Sequence, residues 1–381
     1  MQRSLVVSMV VLTLVACGTP SAPAPSVCGD VQALIAASDY TSSGVGAVGT
    51  NGTSSLGRPV VDLGGDPALS VSRGRAFFIA RDQDAIFELD ARCGTPTKKW
   101  STHDPSRAGS TNPQDVAVAP DGALWVPRFN LASIAIVDPT GALRSSIDLS
   151  KLDDDGNPNA TSIVIEDVGG VAKAFVALAR LDDVAGLRST RPAMIVRIDV
   201  ATTAIETLTP LEGRNAFNAM VANDGALFVA TPGNFDALDE TAAGIERFDV
   251  ATSTTRLLVH EHDLGGSVAE VAVTSGCGVA IVADASSLNR TSLVTFDPIS
   301  GAALTSASAP VLATDGFDLR ALAWVSSSGG APLLLVGDRR SAPGGRGYAV
   351  HVFERSGACT LHMRPDAVFL AQKPIALRAV P

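Results

Sequence analysis

From Pro113 the chain alternates short apolar runs with turn-forming residues in a fixed order. Asp115-Val116-Ala117-Val118 reads as a strand, Pro120-Asp121-Gly122 as a turn, and Ala123-Leu124-Trp125-Val126 as a second strand. A polar loop with Arg128 and Asn130 follows. A third strand then ends at Ile136-Val137-Asp138, a turn falls at Pro139-Thr140-Gly141, and a fourth strand is Ser146-Ile147-Asp148-Leu149. The block recurs roughly every fifty residues, with the middle of its second strand at Ile35, Phe78, Trp125, Val176, Phe228, Ile281 and Leu335. Seven units of four short strands at this period predict an all-β fold, a seven-bladed β-propeller. Strict alternation in Ile195-Val196-Arg197-Ile198-Asp199 and Ile245-Glu246-Arg247-Phe248-Asp249 supports strands in these units.

The two ends of the pattern predict how the ring closes. Ala33–Ala36, Val45–Val48 and Pro59–Leu63 match second, third and fourth strands of a unit that has no first strand. Lys373–Val380 matches a first strand, and the pattern stops there. The C-terminal strand is therefore expected to pair into the N-terminal blade, which removes an exposed sheet edge. No linker interrupts the repeats, so one domain is expected over residues 28–381. Each blade packs only on its neighbours, so a ring escapes the usual size limit of a single core.

Composition changes the picture in two places. The chain is 46% hydrophobic but 5% aromatic, so aliphatic side chains must fill the layers between blades, and 35 Gly and 22 Pro serve the turns. The net charge of −10, with no cluster of Lys and Arg into a phosphate-neutralising stripe, excludes nucleic acid as a partner class. A monomer is expected.

The N-terminal residues belong to targeting. Arg3 precedes an apolar core, Leu5–Val15, too short for a membrane-spanning stop-transfer helix. Leu14-Val15-Ala16-Cys17 resembles a bacterial lipobox. The resemblance implies a lipoprotein signal peptide over residues 1–16, cleavage before Cys17, and acylation of that residue. Two or more acyl chains give stable anchoring. Gly18 after the Cys, by the lipoprotein sorting pattern, implies the outer membrane, in a periplasmic or surface-facing orientation. Residues 17–27, rich in Pro and Ala, read as a lipid-anchored tether.

Arg197–Thr203, Arg247–Thr252, Thr295–Gly301 and Val118-Ala119-Pro120-Asp121-Gly122 resemble propeller repeats of the YVTN and NHL type. The resemblance covers nearly all of the chain beyond the tether and implies the fold. It does not imply a function, because such propellers include enzymes, binding platforms and assembly factors. The Asp and Gly in these segments are turn formers.

Beyond Cys17 the chain carries Cys28, Cys93, Cys277 and Cys359, an even number that suits disulfides in an exported protein. Four cysteines allow three connectivities. The blade alignment places Cys28 and Cys277 at the turn between first and second strands, and Cys93 and Cys359 at the turn between third and fourth. Pairing Cys28–Cys93 and Cys277–Cys359 joins each blade to the next in the same way. None of the spacings is a zinc motif.

Candidate chemistry gathers where first strands line the channel. The alignment places Ala68, Asp115, Ser162, Asn218, Glu270, Arg320 and Ile375 at the mouth. Asp115, Asn218 and Glu270 offer hard oxygen donors of the kind that suit Ca²⁺ or Mg²⁺. The arrangement is similar to the metal site of gluconolactonase-type propellers, although those enzymes have six blades and the match is of residue type alone. Arg320 opposes a cation and suits an anionic ligand. Arg81, Arg128 and Arg180 end second strands of three adjacent blades on the same face. With Tyr40, Phe129, Asn130 and Phe235 they form a candidate recognition surface, the alternative being loop arginines paired with Asp82 and Asp182. Asp153, Asp155 and Asn157 resemble the start of a calcium loop, but Gly156 is fourth rather than sixth and Val164 stands where a Glu is needed. His260-Glu261-His262, on a fourth strand, supplies two imidazoles without a third ligand. The chain lacks the G-x-S-x-G elbow, H-E-x-x-H and the P-loop, so no organic cofactor is expected.

Two readings follow. One is a non-catalytic propeller that offers its loop-rich face to a partner protein or envelope polymer. The other is a metal-dependent lactonase-type hydrolase, which needs a carboxylate base beside a bound metal, a role open to Asp115 and Glu270.

Overall fold

The computed structural model describes residues 31–49, 63–105, 109–235, 242–285, 287, 289–327 and 330–380. They form seven antiparallel sheets, each a blade. From inner to outer strand, blade two is Pro67–Ser72, Arg75–Ala80, Ala85–Leu89 and Pro96–Ser101, and blade four is Ala160–Val168, Val171–Leu178, Pro192–Asp199 and Ile205–Arg214. Inner strands of successive blades touch all the way round, and Lys373–Ala379 meets both the inner strand of blade seven and that of blade two.

Alternation gives each middle strand two buried faces. Ala174, Val176 and Leu178 pack with Trp125 and Ile136 between blades three and four. Their neighbours Phe175 and Ala177 pack with Leu227 and Phe248 between blades four and five. Phe175 and Phe248 meet edge-to-face at 5.6 Å across that boundary. The buried apolar residues divide into seven clusters, one per boundary between blades. This explains why second strands such as Ala76-Phe77-Phe78-Ile79-Ala80 are apolar throughout while outer strands such as Leu143–Asp148 are largely exposed. Full burial of each large aliphatic or aromatic side chain contributes about 1.5–3 kcal/mol.

Closure follows the expected path. Ala33–Ser38 pairs on one side with Ser43–Val48 and on the other with Lys373–Ala379, with Ile35 opposite Leu377. The expected fourth strand of this blade, Pro59–Leu63, lies outside the described residues except for Leu63, which is buried in the cluster between blades one and two. The outer strand of blade seven is split. Thr360–Met363 and Val368–Leu370 pair with opposite halves of Tyr348–Ser356, and Pro365, which has no N–H to donate, falls in the gap.

The turn aspartates act as expected. Asp138 accepts from Thr140 N and Gly141 N at 2.8 and 2.9 Å, and Asp199, Asp249 and Asp297 repeat this in later blades. In Asp138 and Asp249 the bonds from the following turn hold the carboxyl below its ordinary value.

Cys277 and Cys359 form a disulfide that joins blades six and seven, with Cα atoms 5.0 Å apart and 82 residues between them in sequence. Cys93 is itself disulfide-bonded. Cys28, like Cys17, the signal peptide and the tether, lies outside the described residues. The double variant Cys277→Ser/Cys359→Ser should unfold at lower urea concentration, with about 2–4 kcal/mol lost. An unchanged midpoint under non-reducing conditions would show that the bond adds nothing to the ring.

Candidate functional site

The inner strands surround a cavity of about 740 Å³ to which all seven blades contribute, with Ala68, Asp115, Asn218, Glu270, Arg320 and Ile375 among the lining residues. Ser162 stands between blades and is fully buried. Six of the seven aligned positions thus reach the channel, but most of their polar atoms are already engaged.

The cause lies in the inner strands. Pairing with the second strand slips between Ala160 and Ser162, Val268 and Glu270, and Arg320 and Leu322, and more widely between Phe217 and Val221. Such bulges take backbone groups out of the ladder and turn the strand sharply. Asn218 and Ala321 sit in the left-handed region there, at φ 61° and 71°, which costs an alanine about 1–2 kcal/mol. A buried N–H left without a partner would add about 1–3 kcal/mol.

Side chains of the preceding blade meet those groups. Asp115 accepts Ile163 N at 3.0 Å and Ser162 Oγ at 2.8 Å on one oxygen, and Val116 N at 2.9 Å and Ser70 Oγ on the other. Ser162 Oγ accepts Met220 N at 2.9 Å. Asn218 Nδ2 donates to the Ala269 carbonyl at 2.5 Å. Glu270 accepts Ala321 N at 2.8 Å and Leu322 N at 3.0 Å. Ser70 and Ser72 begin the series by accepting Val116 N and Val118 N at 3.1 and 3.0 Å. Apart from the Val116 N–Asp115 bond, which stays within blade three, these bonds run forward from blade two to blade seven, each tying one inner strand to the next.

Arg320 differs. Its guanidinium lies 5.9 Å from the ring centroids of both Phe217 and Phe317, and Phe235 packs edge-to-face on Phe217 at 5.0 Å. Burial lowers the Arg320 guanidinium from its ordinary value, with Glu270 opposing that and Arg339 and Arg81 adding to it. It stays protonated at neutral pH. Glu270 turns its oxygens to the backbone of blade seven, and no ion pair joins the two among the described residues. On the same blade as Arg320, Arg339 stands over the Tyr40 ring at 5.5 Å. Toward the other end of the channel, burial pushes the Glu166 carboxyl up, against the pull of Arg73.

The three aligned arginines meet protein partners. Arg81 pairs with Asp66 and donates to Gln114 at 3.1 Å. Arg128 is 2% exposed and donates to Ser133 and Ser146 at 2.6 and 3.0 Å, so it faces inward rather than onto the loop surface. Arg180 lies 3.4 Å from Asp153. Phe129 and Asn130 remain on the face, with Asn130 donating to the Ser110 carbonyl at 3.0 Å. Asp153 is buried against Arg191 as well, Asp155 accepts Asn157 N at 2.9 Å, and Asn157 donates to Asp183 at 2.9 Å. Two guanidiniums thus stand against Asp153. Among the described residues no group of three or more His, Cys, Asp or Glu side chains is placed to hold a metal ion.

Sequence reasoning did not single out Ser70, Ser72, Phe217, Phe317 or Arg339. Phe217 and Phe317 stand one and three residues before aligned mouth positions, and that proximity was the available signal.

No protein-family model matches the chain, and no curated protein matches it by sequence. Solved structures do match in shape. Virginiamycin B lyase from Staphylococcus aureus superposes with a TM-score of 0.50 at 12% identity, over 81% of this chain and 87% of that one. The WD40 repeats of RRP9 give 0.56 at 12% identity over 83% and 84%. A candidate 6-phosphogluconolactonase from Bacteroides fragilis gives 0.56 at 13% identity over 94% and 100%. At these identities the likeness is one of fold, shared by lyases, lactonases and WD40 scaffolds alike. The chain is a seven-bladed β-propeller that resembles virginiamycin B lyase and lactonase-type propellers.

Proposed function

We propose that the protein is a non-catalytic binding platform, anchored to the outer membrane through a lipidated Cys17, whose channel mouth receives a partner protein or an envelope polymer. The observation that carries this reading is the engagement of Asp115 and Glu270. A lactonase-type hydrolase needs one of them as metal ligand or general base. Asp115 already accepts four hydrogen bonds and Glu270 two, from hydroxyl and backbone donors. Moving either carboxylate onto a metal would strand buried donors. The mouth therefore fits a divalent ion poorly, and the hydrolase reading retains only the likeness of fold.

Calorimetric titration of chelator-treated protein with Ca²⁺, Mg²⁺ and Zn²⁺ should give no saturable heat at micromolar concentrations, and D-glucono-δ-lactone should hydrolyse no faster than in buffer. A saturable heat with lactone turnover, both lost in Glu270→Gln, would replace the platform reading with the hydrolase one.

For the anchor, Cys17→Ser should shift the protein from membrane fractions to the soluble periplasmic fraction or leave it as uncleaved precursor. Mature Cys17→Ser protein in membranes at wild-type level would rule out lipidation as the tether.

A further inference from the structure

We infer that the channel mouth is a carboxylate-recognition site in which Arg320 is the fork, a reading that rests on the platform function and names the chemistry it selects. A guanidinium carries five N–H donors in one plane. Among the described residues none of those of Arg320 has a hydrogen-bond acceptor or an ion-pair partner. The two flanking rings hold the side chain: Phe217 and Phe317 each lie 5.9 Å from its central carbon, and Phe217 is itself braced by Phe235. Cations near aromatic faces are attracted by the ring quadrupole. That contact positions the group without using its donors, which remain available for a bidentate acceptor.

Charge around the fork selects the same kind of ligand. Arg81, which is paired with Asp66, lines the cavity beside it, and Arg339 stands over Tyr40, its Nε buried and without a partner. Glu270 limits how much negative charge the site takes. Glu270 also occupies the Ala321 and Leu322 amides, which would otherwise be the backbone donors for a phosphate. A planar monoanion matches this balance better than a phosphate dianion. The cavity of about 740 Å³ falls in the range of about 300–1,000 Å³ usual for small-molecule sites. Leu322, Ala323 and Ile375, which line the cavity with Arg320, provide apolar faces for the body that carries the carboxylate.

The test is calorimetry on the folded protein with N-acetyl-L-phenylalanine, its neutral amide, D-glucuronate and inorganic phosphate as probes. The carboxylate probes should bind saturably, and the amide should bind at least tenfold more weakly. Arg320→Lys, which keeps the charge and loses the fork, should weaken carboxylate binding at least tenfold, and Arg320→Met should abolish it. Arg320→Met should also raise the thermal midpoint, because it removes a desolvated cation that lacks a partner; a merely structural arginine would lower it. The inference is overturned if the amide binds as well as the acid, if Arg320→Met keeps the affinity, or if phosphate binds more tightly than both carboxylates. Lactone turnover followed on the same samples separates the two readings. Turnover would refute the platform and leave the carboxylate site standing, whereas absence of carboxylate heat would refute the site and leave the platform.

Discussion

Deletion of residues 373–381 is expected to abolish the cooperative thermal transition and drive the protein into aggregates. The segment supplies the inner strand of blade one, and its loss leaves Ala33–Ser38 as an unpaired edge in the middle of the ring. It also removes Leu377, fully buried between blades seven and one, and Ala376 from the packing between blades one and two. The ladder hydrogen bonds and the apolar burial that this strand provides together exceed about 5 kcal/mol, within reach of the whole stability of an ordinary domain. Size-exclusion chromatography and far-UV circular dichroism melting would check this. A monomeric truncated protein with the wild-type midpoint would contradict the closure.

The next largest effect is expected from Asp115→Ala. The carboxylate is 8% exposed and joins blades two, three and four through Ser70, Ser162 and Ile163. Its removal strands several donors at once, for which a loss of about 3–5 kcal/mol in urea unfolding is expected. Asp115→Asn keeps one acceptor oxygen but turns an amide N–H₂ toward donors, so a smaller loss of about 1–3 kcal/mol is expected. A residue held in place for metal binding would behave differently, since replacing it typically leaves stability unchanged or raised. A neutral or stabilising Asp115→Ala would thus restore the metal-site reading.

The fold was legible because propeller physics writes itself locally. Each blade is a meander with Asp- and Gly-bearing turns, and each middle strand must be apolar on both faces, as Phe77-Phe78-Ile79 is. The closing strand was legible for the same reason: Lys373–Ala379 carries the first-strand pattern that Ala33–Ser38 pairs with. The mouth was legible in position but not in partnership. Alignment can say that Asp115, Asn218 and Glu270 come to the channel. Whether their oxygens face a ligand or the next blade depends on the bulge in each inner strand and on the stagger between blades, which a single sequence does not encode. The inner strand of blade three is reduced to Ala117–Val118 because Asp115 stands at such a break. Arg128 escaped for a related reason. The end of a second strand admits an inward or an outward side chain, and Ser133 and Ser146, found by neighbouring strands, draw it in. At His260-Glu261-His262 the strand ends at His260 and Glu261–Leu264 makes one helical turn, so the two imidazoles do not share a strand face.

In the structure the carboxylates of Asp115 and Glu270 hold neighbouring blades together. Residue-resolved amide hydrogen exchange at Ala321 and Leu322 tests it most directly. Their N–H groups converge on Glu270 at 2.8 and 3.0 Å. They should exchange slowly in the native protein and at least tenfold faster in Glu270→Ala, while the ladder amide of Leu335 keeps its protection. Equal exchange at Ala321 and Leu322 in the two proteins would mean that Glu270 does not cap them, and would return its carboxylate to the channel as a candidate ligand.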